Sequence, residues 1–270
     1  MTDPGLNRAG LDHAARTVLT EEVADGICLV RLNRPERLNA LSAEMMAELD
    51  ATWAALAQRE ELRCLVITGN GRGFCSGADA GFLADERAPR GPGVWGELSF
   101  VPGHRVEVPI VVAVNGVCAG GGLHFVADAD IVIASASASF LDPHVSVGQV
   151  SGIEPPSLSL RLPYGVIARM ALTGTAERLS VQRAYELGLV SEIADDETLV
   201  PRALEIAAAV AAGSPAAVRA TRRALRAQSA ALCEPYMEAG WQAVQAHWGH
   251  PDVIEGPTAF AERRPPRWTD

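Results

Sequence analysis

Four short, nearly unbroken apolar runs constrain this chain most: residues 27–32 (ICLVRL), 64–68 (CLVIT), 110–114 (IVVAV) and 131–134 (IVIA). A strand with one wet face alternates polar and apolar side chains, so runs without alternation belong to strands covered on both faces. Between the first two runs, Met45, Met46, Leu49, Trp53 and Leu56 recur at spacings of three and four behind Ser42. That is an N-capped amphipathic helix. Strand, helix, strand implies a crossover connection and therefore parallel pairing, which sets an α/β core.

After about Arg161 the strand signal gives way to helical patterns at 180–187, 201–212 and 214–230. The last opens on Ser214 as N-cap with Pro215 at the first helical position. The expected division is an α/β core over residues 1–200 and a helical C-terminal segment over 201–270. Residues 86–104, rich in Gly, Pro and Arg, read as a long loop of the kind that lines binding sites, with Trp95 and Phe100 shaping a pocket.

Composition narrows the function classes. The chain has 270 residues, 48% of them hydrophobic, which suffices for a sizeable core. Its 23 Lys and Arg against 33 Asp and Glu leave a net charge of −10, which argues against nucleic acid or an anionic membrane as partner. The longest apolar stretch, 109–123, is interrupted by Asn115 and four glycines and does not read as a membrane span. Residues 1–16 are polar and show no secretory h-region. The five cysteines (Cys28, Cys64, Cys75, Cys118, Cys233) form no C-x-x-C pair and read as buried, reduced thiols. The expected location is the cytoplasm.

Two glycine clusters follow strands. In the first, residues 69–79 (GNGRGFCSGAD), Phe74 or Ser76 stands where a dinucleotide fingerprint needs its third glycine. A plain strand-exit turn explains it equally well. In the second, Gly120-Gly121-Gly122 precedes a helix-like stretch, so backbone N–H groups can approach a ligand closely. Two such clusters can place one N–H each on a single oxygen, which is an oxyanion hole. His124 falls in the first turn of that helix, where the dipole disfavours an imidazolium and favours a neutral base or donor. His144 lies one strand further on, in Asp142-Pro143-His144, and can reach the same pocket. Taken alone, either imidazole also fits a satisfied structural histidine. His247-x-x-His250 lacks a third ligand nearby, and no metal site is expected.

Taken in order, several stretches resemble the crotonase superfamily, also called the enoyl-CoA hydratase/isomerase family. They are residues 33–41 (NRPERLNAL), 73–79 (GFCSGAD), 109–122, 172–174 with 184–190, 214–218 and 260–266. The resemblance spans about residues 18–268. It implies a spiral of ββα units with a helical C-terminal segment that makes trimer contacts, trimers commonly pairing into hexamers. It also implies acyl-CoA chemistry in which two backbone N–H groups hold a thioester enolate. By position those donors are Ala78 and Gly121, flanked by Gly77 and Gly120, with Arg34 and Arg37 near the CoA. Coenzyme A then enters as part of the substrate, with no separate cofactor.

The departures are as informative. Family hydratases carry a glutamate after the glycine triplet and another after a Phe-x-x-Pro turn; here these are His124 and His144. The family's Ile-Pro-Gly-x-Gly-Gly stretch is replaced by Val150-Ser151-Gly152-Ile153-Glu154-Pro155, which adds a carboxylate. The lysine usual after Gly-Ala-Asp is replaced by Ala80-Gly81-Phe82. These features lead to a hydratase-like lyase or isomerase on an acyl-CoA, with His124 and His144 as acid and base and Asp142 or Glu154 orienting an imidazole. Two alternatives stand beside it: a hydrolase cleaving a C–C bond of a β-diketone or β-keto thioester, and a non-catalytic acyl-CoA-binding protein.

Overall fold

The computed structural model describes residues 16–79 and 93–269. Its first unit is an antiparallel hairpin, β1 (Val18–Ala24) and β2 (Ile27–Leu32), followed by α1 (Ala43–Leu56). The Ser42 hydroxyl accepts the Met45 N–H at 3.2 Å, and Met45, Leu49, Trp53 and Leu56 are buried, as the periodicity requires.

Three successive turns of chain then each give one strand to each of two sheets. They are β3 (Cys64–Gly69) with β4 (Gly73–Cys75), β5 (Ile110–Val114) with β6 (Val117–Ala119), and β7 (Ile131–Ser135) with β8 (Ser139–Leu141). Helices α2 (Gly93–Glu97), α3 (Gly122–Asp128), α4 (Glu154–Leu158) and α5 (Tyr164–Thr173) come between and after these pairs. Next are β9 (Leu179–Ser180), α6 (Val181–Glu186), β10 (Glu192–Ala194), α7 (Leu199–Ala211), α8 (Pro215–His247) and α9 (Asp252–Glu262). The large sheet has the order β1-β2-β3-β5-β7-β10, parallel except for the hairpin. The small one is β4-β6-β8-β9, parallel except at β9.

The unbroken apolar runs are explained by their two burials. Cys28, Val30, Leu65, Ile67, Val112 and Val114 face the main core. Their neighbours Ile27, Leu29, Cys64, Val66, Val111 and Ala113 pack under Leu199, Ala203 and Ala207 of α7. All five cysteines are buried free thiols.

Three expectations need correction. Strands do continue past Arg161, but β9 and β10 have only two and three residues, too few to show a period. The helix expected to end near Ala230 runs on to His247, with Pro235 inside it. Of the expected loop, 86–92 lies outside the described residues and Gly93–Glu97 is helical. Among the described residues, no single helix is long and apolar enough to cross a membrane.

Candidate active site

The two glycine clusters meet. Leu41 bridges to Ala78: the Leu41 N–H donates to the Gly77 carbonyl (2.8 Å), and the Asp79 N–H to the Leu41 carbonyl (2.9 Å). This alternation turns the Ala78 N–H the other way, and it has no partner among the described residues. The same holds for the Gly121 N–H at the mouth of α3. Gly77 has φ +90°, and a Cβ built there stands 3.5 Å from the Gly121 nitrogen and 3.0 Å from the Ala119 carbonyl. Only glycine lets the two strand ends approach this closely. Gly120, at φ +48°, presents a position 3.5 Å from His144 Cε1. The first donor segment therefore abuts the second, and the second abuts His144.

Arg34 holds this frame. Its guanidinium donates to Asp79 (3.0 Å) and to the Ala40 carbonyl (2.5 Å), tying the 34–40 turn to the strand end that carries Ala78. Arg37 is exposed, with no side-chain partner among the described residues. The position of the absent lysine, Ala80-Gly81-Phe82, lies outside the described residues.

Both candidate imidazoles converge on one carboxylate. Glu154 Oε1 lies 3.0 Å from His124 Nε2 and 3.4 Å from His144 Nε2. Asp142 Oδ1 lies 2.6 Å from His144 Nδ1, and its other oxygen accepts the Ser151 hydroxyl at 2.5 Å. His124, Asp142 and Glu154 are buried, and His144 is part-buried. The loop 142–154 thus supplies His144 and both orienting carboxylates, and α4, starting at Glu154 and continuing through Pro155-Pro156, fixes the second of them.

The charges follow from this arrangement. Burial works against the His144 imidazolium, but Glu154 and Asp142 face both of its nitrogens and outweigh that, pushing its pKa up to about 9. Burial likewise opposes ionisation of Glu154, yet the two imidazoles hold its carboxyl below the ordinary value. A carboxylate only accepts, so His124 presents Nε2–H to Glu154.

A cavity of about 110 Å³ unites these groups, lined by Ala78, Gly121, His124, His144 and Glu154. Phe100, Gln149, Trp241 and Trp248 complete its walls; the last two come from the end of the long C-terminal helix, which no local pattern links to the site. A neighbouring cavity of about 290 Å³ shares Leu98 and His124 and holds Trp95, Cys233 and Met237. Cys75 is no nucleophile: burial pushes its thiol up to about 12.

Asp142, His144 and Glu154 bring metal-type donor atoms within 4.8 Å of one another, but here they are engaged with each other. His247 and His250 stack at 4.8 Å, with His247 Nε2 against the Gly148 carbonyl.

Known proteins share this architecture. The profile of the enoyl-CoA hydratase/isomerase family matches residues 22–270. The mevalonyl-coenzyme A hydratase of Aspergillus fumigatus is 35% identical, over 90% of this chain and 91% of its own. The (E)-benzylidenesuccinyl-CoA hydratase of Thauera aromatica is 32% identical, over 92% and 97%. Among solved structures, an enoyl-CoA hydratase/isomerase from Mycobacterium paratuberculosis is 40% identical with a TM-score of 0.70, covering 94% of this chain and 98% of its own. A carnitinyl-CoA hydratase from Mycobacterium avium is 29% identical with a TM-score of 0.83, over 94% and 98%. With the profile matching nearly the whole chain and the fold shared throughout, this protein belongs to the enoyl-CoA hydratase/isomerase family.

Proposed function

We propose that this enzyme acts on an acyl-CoA thioester by hydration or a related lyase or isomerase step. The Ala78 and Gly121 N–H groups hold the enolate oxygen, and His124 and His144 move the protons. The observation that carries this reading is that both imidazoles meet Glu154 in the cavity that both backbone donors line. Hydration requires a group that accepts a proton from water as its oxygen adds to the β-carbon, and one that returns a proton to the α-carbon. His124, oriented by its Nε2 contact with Glu154, fits the base. His144, charged between two carboxylates, fits the acid. Two N–H donors on the developing oxyanion stabilise the intermediate between these transfers.

Calorimetry of acetoacetyl-CoA and free CoA on wild type and Gly121→Val tests it. A Cβ at Gly121 stands 2.9 Å from the end of the Leu41 side chain and 3.9 Å from the Gly77 backbone beside Ala78, so the larger side chain crowds the space between the two donors, and a thermal melt checks that the variant keeps its fold. Acetoacetyl-CoA binds wild type and is lost in the variant; no binding of either ligand to wild type overturns the reading.

The His144–Asp142 pair favours a second reading, in which water attacks a carbonyl of a β-diketone and the hole holds the departing enolate. Cleavage of a CoA-free cyclic 1,3-diketone, with no turnover of enoyl-CoAs, selects it. We further propose a cytoplasmic homotrimer or a pair of trimers. Leu225, Leu232 and Tyr236 form an exposed apolar stripe on α8 that suits contact with other copies of the chain.

A further inference from the structure

We infer that Trp241 is a specificity residue whose indole N–H receives a second oxygen of the substrate, one carried on the acyl group at the β-carbon. The inference rests on the acyl-CoA reading above and adds to it a residue that selects among acyl groups.

Three observations point there. Trp241 borders the cavity that holds Ala78, Gly121 and both imidazoles. The residue is only 2% exposed, and its Nε1 is a buried donor without a hydrogen-bond partner among the described residues. An indole N–H only donates, and a buried donor left unmatched is costly, so an acceptor is called for. The same cavity is lined by the apolar Val150, Ile153 and Val244 and by the polar Gln149 and Glu154, and none of these is a hydrogen-bond partner of the indole N–H. The ring is also built into place. Its edge packs on Trp248 at 5.2 Å between centroids, and the residue before it, Gly240, lies against the backbone of Gly152. A Cβ on Gly240 stands 1.8 Å from the Gly152 carbonyl oxygen, so the helix rests on the loop that leads into Glu154.

A ligand with one oxygen at the reacting end is served by the backbone donors alone. One with a further oxygen at the β-carbon, a 3-hydroxyacyl or 3-oxoacyl group, also presents an acceptor for a donor on another wall. In the hydration direction that oxygen is the one water delivers. A site with a buried donor discriminates strongly against analogues lacking the matching acceptor.

Calorimetry with butyryl-CoA and acetoacetyl-CoA on wild type and Trp241→Phe reads this directly. Wild type prefers the oxo ligand by about tenfold, and Trp241→Phe, which keeps the packing against Trp248, brings the two within about twofold. In parallel, the Trp241 indole N–H resonance of the wild type moves on adding acetoacetyl-CoA and stays in place with butyryl-CoA. Single Phe replacements of the other tryptophans identify that resonance by elimination, so a poorly folding Trp241→Phe does not block the test. Butyryl-CoA binding without a preference, a preference that survives Trp241→Phe, or a stationary resonance overturns the Trp241 assignment alone. Failure of both ligands to bind wild type removes the acyl-CoA reading, and this inference with it.

Discussion

His144 is the residue on which the electrostatics of the site turn. With carboxylates on both ring nitrogens it stays an imidazolium up to about pH 9. Because its pKa is raised above the ordinary 6.5, the stabilisation it supplies is complete below 6.5 and is lost as pH rises through about 9. Turnover therefore falls on the alkaline side near pH 9, and Asp142→Asn moves that limb toward neutrality; pH profiles of kcat for both proteins check this. Glu154→Gln removes the negative charge that both imidazoles share and lowers kcat by about 100-fold or more, the usual scale for losing acid–base function. Steady-state kinetics beside a thermal melt separates that loss from unfolding. Cys75 and Cys118, both raised by burial, resist iodoacetamide at pH 8 in the folded protein, as intact-mass measurement will show. Much of this was legible in the residue string. His124, His144 and Glu154 announce themselves as titratable groups at positions where the family carries other residues, and Asp142 as a carboxylate two residues before His144. Ser151 and Trp241 do not: a serine beside a glycine and a tryptophan in a long helix acquire meaning only when folding brings Asp142 and the cavity to them.

At the scale of elements, legibility followed length. Strands of five or six nearly unbroken apolar residues declared themselves, whereas the three-residue strands β4, β6 and β8 are too short to show a period, and β4 and β6 merge with the glycine turns that precede them. Yet it is the end of β4 and the end of β6 that deliver the two backbone donors. The long helix α8 was read short because Pro235 and Gly240 interrupt its pattern, although its last turns wall the site. Its docking depends on the Gly240–Gly152 contact. Gly240→Ala places a methyl on the Gly152 carbonyl and costs about 1–3 kcal/mol, the ordinary scale of overpacking. Denaturant unfolding will show the lowered midpoint, and acyl-CoA affinity falls with it.

For the whole molecule, the apolar stripe Leu225, Leu232 and Tyr236 is 67%, 48% and 67% exposed, too apolar for a helix face meant for water. Sedimentation equilibrium is expected to give three or six chains, and Leu225→Glu with Leu232→Glu to shift the population toward smaller species. A single-chain sedimentation profile for wild type excludes the trimer. The seating of Gly240 on Gly152 also orders events in time. Ala78, Gly121, both imidazoles and their carboxylates lie between residues 77 and 154, so a ribosome finishes them well before it makes the end of the helix that walls them. The residues that meet in the cavity are therefore synthesised first, and the tryptophans that wall it are added only about ninety residues later.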